Sequence, residues 1–131
     1  MSNQQKKRWT AADVDAAAAE PKEGWEASDR SEVPPEAVSE AKALLRLLDD
    51  TMPDVVDWDA HGGIWLEWTS PGLNLSVSVF KTITILIADY GSKHESYRST
   101  ITQETADGVR SVLWLHELEQ KRKREQEKET S

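Results

Sequence analysis

The sequence contains no cysteine, and this absence excludes several kinds of chemistry. Disulfide bonds, thiolate nucleophiles and cysteine-ligated zinc sites all require thiols, so none of them can form within this chain. A chain without thiols also fits a reducing compartment. We therefore expect a cytoplasmic protein.

Long apolar runs are missing as well. The longest apolar-leaning stretch, residues 82–88, is far shorter than the roughly 20 residues that a helix needs to cross a bilayer. The first residues, MSNQQKKRW, are basic, but no apolar segment of the kind found in secretion signals follows them. We therefore expect neither a membrane-embedded protein nor one exported by a standard signal.

The sequence shows none of the common catalytic motifs. It has no GxSxG, HExxH, Walker-type or GxGxxG pattern. Its three histidines, His61, His94 and His116, stand in no recognisable catalytic arrangement. We predict that the protein is not an enzyme and that it uses no cofactor.

The net charge of −8 is distributed unevenly. Residues 35–60 carry −5, whereas residues 61–101 are neutral. The dense basic stretch KRKR at residues 121–124 is flanked by glutamates. Because nucleic-acid phosphates repel an acidic chain, we do not expect direct binding to DNA or RNA. An acidic decoy, which occupies a nucleic-acid-binding surface on another protein, is an alternative function.

The distribution of apolar residues predicts one folded domain at residues 34–118. Residues 1–33 are largely polar and are predicted to form a disordered arm. Within this arm an alanine-rich helix at residues 11–20 would be marginal alone, so we expect it to form only on a partner. Residues 119–131 are a charged tail that either frays or continues as a solvated helix.

Two amphipathic helices are predicted at the ends of the domain. The first follows Pro34 and ends before Pro53, because apolar residues recur there at three- and four-residue spacing. Its apolar stripe comprises Val38, Ala41, Leu44, Leu45, Leu48 and Met52. The second is predicted to begin at Thr102 as its N-cap. Its inner side comprises Ala106, Val109, Val112, Leu113 and His116.

Between the helices, apolar residues alternate with a period of two, which is typical of strands. The alternating sets are Val56 and Trp58; Ile64, Leu66 and Trp68; Leu73, Leu75, Val77 and Val79; and Ile83, Ile85 and Ile87. A more polar strand is expected at residues 94–101. We predict a two-layer α+β fold: helix, three- or four-stranded antiparallel meander, helix, with both helices on one sheet face.

The connection after Val79 has no glycine, asparagine or proline to define a turn. A two-residue turn at Phe80 and Lys81 would send the following isoleucines away from the helices. A three-residue loop over residues 80–82 keeps Val79 opposite Ile83, and we predict this loop.

The sheet face turned away from the helices would then carry mostly polar residues, together with a few apolar ones. We expect there Trp65, Glu67, Ser76, Ser78, Thr82 and Thr84. Leu86 and Phe80 would make this face less polar than that of a monomer, which indicates homodimerisation or docking of a partner.

The segment GGIWLEW from Gly62 to Trp68 is followed by an alternating LxLxVxV run at residues 73–79. This hairpin resembles small uncharacterised bacterial proteins that have a GG(I/V)-x-LEW strand pair. The sequence departs from their usual glycine-containing turn after the second strand, since it has FKT at residues 80–82. The resemblance implies a hairpin and no particular activity.

Asp57, Asp59 and His61 form a D-x-D-x-H pattern. Residues two apart in an extended segment share a face, so three potential metal ligands could converge. A metal-dependent hydrolytic enzyme that uses these residues is therefore an alternative function. We favour a structural interpretation, in which the aspartates support the turn that leads into Gly62.

Acidic residues and tryptophans are the candidates for binding a partner. Asp49, Asp50 and Asp54 lie in the most acidic part of the domain, where they could meet a basic protein surface. Six tryptophans are many for 131 residues, and tryptophan is enriched where surfaces become buried on binding.

The positions of the tryptophans divide them into two groups. Trp58, Trp68 and Trp114 fall on or near the apolar phases and are expected in the core. Trp65 points to the opposite sheet face, where it is either covered by another part of the chain or exposed as an anchor. Trp9 and Trp25 lie in the arm and are the remaining candidates for partner contact.

These observations favour a small acidic, non-catalytic protein-binding module of the accessory, chaperone, antitoxin or immunity kind. The expected binding residues are Trp65, Asp49, Asp50, Asp54, Trp9 and Trp25.

Overall fold

The computed structural model describes residues 9–19, 33–59 and 61–130, except for the side chains of residues 129 and 130. Within these ranges the chain forms three helices and five strands. They are α1 Ala11–Ala19, α2 Pro35–Leu47, β1 Val55–Asp59, β2 Gly63–Ser70, β3 Leu73–Val79, β4 Thr84–Tyr90, β5 Lys93–Ser99 and α3 Thr102–Thr130. None of the described helices is long and apolar enough to cross a membrane.

The five strands form one antiparallel meander in the order β1-β2-β3-β4-β5. The two-layer α+β arrangement is confirmed, but the predicted three or four strands become five. The first apolar run is a full strand because β1 pairs with β2 along its whole length. The polar segment β5 likewise pairs with β4 over seven residues.

The three helices and one face of the sheet enclose a single hydrophobic core. The strands contribute alternate residues, among them Ile64, Leu66, Trp68, Leu75, Val77, Val79, Leu86, Ala88 and Tyr90. The helices contribute Val14, Ala17, Ala41, Leu44, Leu45, Leu48, Ala106, Val109 and Val112. Since burial of each large aliphatic side chain contributes about 1.5–3 kcal/mol, this core is the main source of stability.

Helix α2 forms as the apolar spacing predicts. Pro34 is extended, and Pro35 occupies the first turn, where a missing N–H is tolerated. The helix ends at Leu47, and the next N–H, that of Leu48, still donates to the Leu44 carbonyl at 3.0 Å. Its predicted stripe faces the sheet.

Helix α1 differs from the disordered arm that was predicted. Thr10 and Asp13 cap its first turn reciprocally: the Thr10 N–H donates to Asp13 Oδ2 at 2.7 Å, and the Asp13 N–H donates to Thr10 Oγ1 at 3.3 Å. Val14 is completely buried, and Trp9 Nε1 donates to the Pro53 carbonyl at 2.8 Å. These contacts stabilise a helix that would be too short to persist alone. The other residues of the predicted arm, 1–8 and 20–32, lie outside the described residues.

The connection from β3 to β4 differs from the predicted three-residue loop. Val79 lies opposite Thr84, and the Phe80 N–H donates to the Ile83 carbonyl at 2.9 Å. Lys81 and Thr82 alone therefore turn the chain. The prediction that Val79 pairs with Ile83 is wrong.

This register reverses the expected faces of β4. Leu86, Ala88 and Tyr90 point into the core, whereas Ile85 and Ile87 point away from the helices. The prediction failed because both alternating sets of this strand are apolar, so a period of two does not select the face. Thr84 and Leu86 accordingly lie on the helix-covered side, where they were not expected.

Helix α3 is a single helix of 29 residues. The Thr105 N–H donates to the Ile101 carbonyl at 3.2 Å, so Ile101 rather than Thr102 precedes the first turn. The Thr102 hydroxyl instead donates to Glu40. The tail continues this helix, and every side chain from Lys121 to Lys128 is exposed. Trp114 is 61% exposed, so its predicted place in the core is wrong.

Candidate functional site

The sheet presents one face, here called the outer face, that is turned away from the core. Its side chains come from alternate positions of all five strands. They include Val55, Asp57, Trp65, Glu67, Asn74, Ser76, Ser78, Ile85, Ile87, Asp89, His94, Ser96 and Arg98. Among the described residues, these side chains do not belong to the core that the helices complete.

The strand register places five outer-face residues in one row across the sheet: Asp57, Trp65, Ser78, Ile85 and Arg98. Directly opposite residues on antiparallel strands point to the same face, so these five side chains are neighbours in that order. We call them the central row. The adjacent row consists of Val55, Glu67, Ser76, Ile87 and Ser96.

The middle of the outer face is apolar on either side of β3. Ile87 is 38% exposed, while Trp65 and Ile85 are half-buried. The strand between them contributes only the small side chains Ser76 and Ser78 to these two rows. Larger side chains on β2 and β4 therefore flank a strip of serines.

One end of the outer face is closed by an aromatic ring. Phe80 packs over Gly63, since a β-carbon at Gly63 would lie 2.8 Å from the phenyl ring. The same β-carbon would lie 2.6 Å from the Val79 carbonyl oxygen. A glycine is therefore required where the ring crosses β2.

Charge is distributed asymmetrically across the outer face. Asp57, Asp59 and Glu67 lie on β1 and β2, at one side of the sheet. Arg98 lies on β5, at the opposite side. The β1–β2 side of the face is therefore acidic, whereas the β4–β5 side carries both Asp89 and Arg98.

Asp59 and His61 are brought together, but as parts of a turn. Asp59 Oδ1 accepts from the His61 N–H at 2.8 Å and lies 3.2 Å from His61 Nδ1. Asp59 Oδ2 accepts from the Ser78 hydroxyl at 3.1 Å, and Asp57 Oδ1 accepts from the Trp58 N–H at 2.8 Å. The described part of the chain contains no group of three or more potential metal ligands. Asp59 and His61 correspond to the turn interpretation, whereas Asp57 bonds to the backbone of its own strand.

Two of the three acidic candidates bond to neighbouring segments of the fold. Asp50 Oδ1 lies 2.9 Å from Arg110, which also donates to the Leu47 carbonyl at the end of α2. The hydrogen bond from Arg110 lowers the pKa of Asp50 below its ordinary value. Asp54 Oδ2 accepts from the Thr69 N–H at 2.7 Å. Arg110, which sequence reasoning missed, explains how an aspartate is tolerated beside the negative end of a helix.

The remaining candidates divide between exposed, structural and undescribed residues. Asp49 is exposed. Trp9 attaches α1 to Pro53, two residues before β1, and so has a structural role. Trp25 lies outside the described residues. Of the predicted binding residues that the structure describes, Trp65 is the one on the outer face.

The outer face also contains residues that sequence reasoning missed as a site. Ile85, Ile87 and Arg98 join Trp65 only once the register of β4 and β5 is known. The signal for the isoleucines was present in the sequence, because both phases of β4 are apolar. No local signal identified Arg98.

A concave region lies on the helix side of the sheet, between β5 and α3. It has a volume of about 430 Å³ and is lined by Leu86, Tyr97, Val112, Leu115 and Glu95, among others. The Tyr90 hydroxyl donates to Glu95 Oε2 at 2.8 Å. Burial, together with this bond, raises the pKa of Tyr90 to about 12.

Comparisons of the chain with protein-family models, with curated proteins and with solved structures gave no match.

Proposed function

We propose that this chain is a small acidic, non-catalytic protein-binding module that engages its partner through the outer face. The supporting observation is that Trp65 on β2 and Ile85 and Ile87 on β4 flank the middle strand on a sheet face outside the core. Neighbouring apolar side chains on an open sheet face are typical of a surface that another protein covers.

The composition of the outer face also supports this proposal. Near its middle lie an aromatic residue, Trp65, and two aliphatic residues, Ile85 and Ile87. Asp57 and Arg98 lie at its sides. Interfaces commonly combine an apolar centre with a charged rim, and a tryptophan often supplies much of the binding energy. Trp65 is the expected anchor.

The chemistry of the face favours docking over catalysis. Its histidine–carboxylate pairs, Asp59 with His61 and Asp89 with His94, involve exposed histidines at different parts of the sheet. General acid–base catalysis requires such groups to converge on one substrate in a cleft. The outer face offers a broad surface instead.

The test compares two lysine substitutions at equally exposed positions. Ile87 on the outer face is 38% exposed, and Leu118 on α3 is 40% exposed. Wild type, Ile87→Lys and Leu118→Lys are immobilised to capture proteins from a cell lysate, and each captured protein is then purified and titrated. We expect Ile87→Lys to weaken binding at least about tenfold, which corresponds to about 1.4 kcal/mol. Leu118→Lys should bind like wild type.

A second pair extends the test to the proposed anchor. Trp65→Thr should weaken binding, whereas Trp114→Thr, at an exposed tryptophan of α3, should not. Circular dichroism establishes that each variant is folded before binding is compared. Equal binding by all folded variants would contradict the proposal. The identity of the bound protein would assign the module to the accessory, chaperone, antitoxin or immunity kind.

A further inference from the structure

We infer that the protein docked on the outer face is a second copy of this chain, related to the first by a two-fold axis along β3. This inference rests on the proposed function, because it names the occupant of the same surface. It follows from the order of residues in the central row.

The symmetry of the sheet defines which strands would meet. β3 is the middle strand of five. A rotation of 180° about an axis parallel to β3, just above the outer face, places β1 over β5 of the other copy and β2 over β4. It places β3 over itself. Because the axis runs along the strands, each residue keeps its level.

The central row is complementary to itself under this rotation. Asp57 at one end comes over Arg98 of the other copy, and Trp65 comes over Ile85 of the other copy. Each of these pairs occurs twice in the dimer. Opposite charges at the rim and apolar contacts inside it are the arrangement that a specific interface needs.

The side chains at the centre of the interface are small enough for the two sheets to pack against each other. Ser78 lies over Ser78 of the other copy, and Ser76 lies over its own counterpart. With serines on the axis, Trp65 and Ile85 of the two copies can interdigitate in the central row, while Glu67 comes over Ile87 of the other copy in the adjacent row. Stacked sheets pack about 10 Å apart with strands within about 30° of each other.

The alternative two-fold axis, perpendicular to the strands, is opposed by charge. It would place β1 over β1 and β2 over β2 of the other copy. Asp57, Asp59 and Glu67 would then face the same acidic strands, and Arg98 would face the strand that carries the other Arg98. Like charges across an interface weaken binding, so the axis along β3 is favoured.

The area of the outer face indicates how strongly the two copies should associate. Four strand spacings of about 4.8 Å and seven residues of about 3.4 Å give a surface of about 19 by 24 Å. An interface of this size belongs to the smaller class, near or below about 1,200 Å² of total buried surface. We therefore expect a weak dimer that dissociates on dilution.

The first experiment is a charge exchange followed by sedimentation velocity over a concentration series. Asp57→Arg alone and Arg98→Asp alone should each weaken the dimer by about tenfold, because each places like charges together. The double variant Asp57→Arg with Arg98→Asp restores both opposite pairs and should recover the wild-type dimerisation constant. A double variant as weak as the product of the two single effects would overturn the inference.

The second experiment locates the axis by cross-linking single introduced cysteines. The chain has no native cysteine that would also react. Ser78→Cys lies on the axis and should be linked to its counterpart by a short bismaleimide. Ser96→Cys lies on the same face but two strands from the axis, so the two copies are about 19 Å apart and should not link. Linking at residue 96 but not at residue 78 would overturn the proposed axis.

The outcomes separate this inference from the proposed function. If the wild-type chain is monomeric up to millimolar concentration while Ile87→Lys loses a captured partner, the second copy is excluded and the binding module stands. If the chain is monomeric and no capture depends on the outer face, both are overturned. A dimer that Ile87→Lys dissociates and Leu118→Lys does not supports both.

Discussion

The two sides of β4 are both apolar, yet only one of them is covered by the helices. Leu86, Ala88 and Tyr90 are buried in the core, while Ile85 and Ile87 are on the outer face. Hydrophobicity therefore does not by itself decide which side of a strand becomes core. For β4, coverage by α3 decides it, and the side that α3 covers depends on the register set by the turn before β4.

The covered face and the outer face of the sheet should also differ in how much the truncation of one side chain destabilises the fold. Leu75→Ala on the covered side should destabilise the fold by about 2–5 kcal/mol, because it leaves a cavity in the core. Ile87→Ala, on the partly exposed side, should cost less than about 1 kcal/mol. Urea denaturation at a concentration where the chain is monomeric measures both. Equal losses would show that the outer face is packed in the monomer.

The glycine beneath Phe80 tests whether the outer face tolerates added volume. Gly63→Ala should destabilise the chain by about 1–3 kcal/mol, because the new methyl group meets both the Phe80 ring and the Val79 carbonyl oxygen. Adding Phe80→Ala removes the ring but leaves the carbonyl oxygen. The double variant should therefore remain less stable than Phe80→Ala alone in chemical denaturation. Full recovery would mean that the ring is the whole obstacle.

The covered side also depends on how α1 is attached. Trp9→Phe keeps an aromatic ring but removes the donor to the Pro53 carbonyl, and it should cost about 0.5–1.5 kcal/mol. Trp114→Phe is the matched control, since that side chain is mostly exposed and should change stability little. Thermal unfolding compares the two. Similar shifts in Tm would argue against a structural role for Trp9.

A smaller effect should appear at alkaline pH, again on the covered side. Burial raises the pKa of Tyr90 to about 12, whereas an unfolded tyrosine ionises near the ordinary tyrosine pKa of 10.0. The neutral form is therefore favoured in the folded state. Its contribution is complete below pH 10 and is lost as the pH rises toward 12.

The stability difference between wild type and Tyr90→Phe isolates this contribution. It should shrink between about pH 10 and 12 in urea denaturation measured at several pH values. Tyr97→Phe provides a comparison at a half-exposed tyrosine, whose pKa is also raised, mainly by its hydrogen bond to Glu95. A pH-independent difference for Tyr90→Phe would mean that Tyr90 ionises at the same pH in the folded and unfolded chain.

The parts of the fold that the sequence predicted are those in which only one set of positions is apolar. α2, β2, β3 and the inner side of α3 all have this property, and their faces were correct. β4 has two apolar sets, and the turn before it has no glycine or proline. The face of that strand therefore could not be chosen from periodicity.

Tertiary contacts explain the other differences. α1 is packed because Trp9 reaches the Pro53 carbonyl, 44 residues further along the chain, and no local pattern contains that information. The outer face was predicted only in part, because its composition also depends on tertiary contacts. Trp65 could be assigned to the outer face from alternation within β2, but its place in one row with Ile85 and Arg98 requires the register of three further strands.

The exposed end of α3 has a consequence for how unfolding is observed. Since every side chain from Lys121 to Lys128 is exposed, this segment is helical without support from the core. Such a segment melts by a gradual helix–coil transition, whereas the core unfolds cooperatively. Ellipticity at 222 nm would therefore record two processes, and its slope before the main transition would report the unwinding of the last turns.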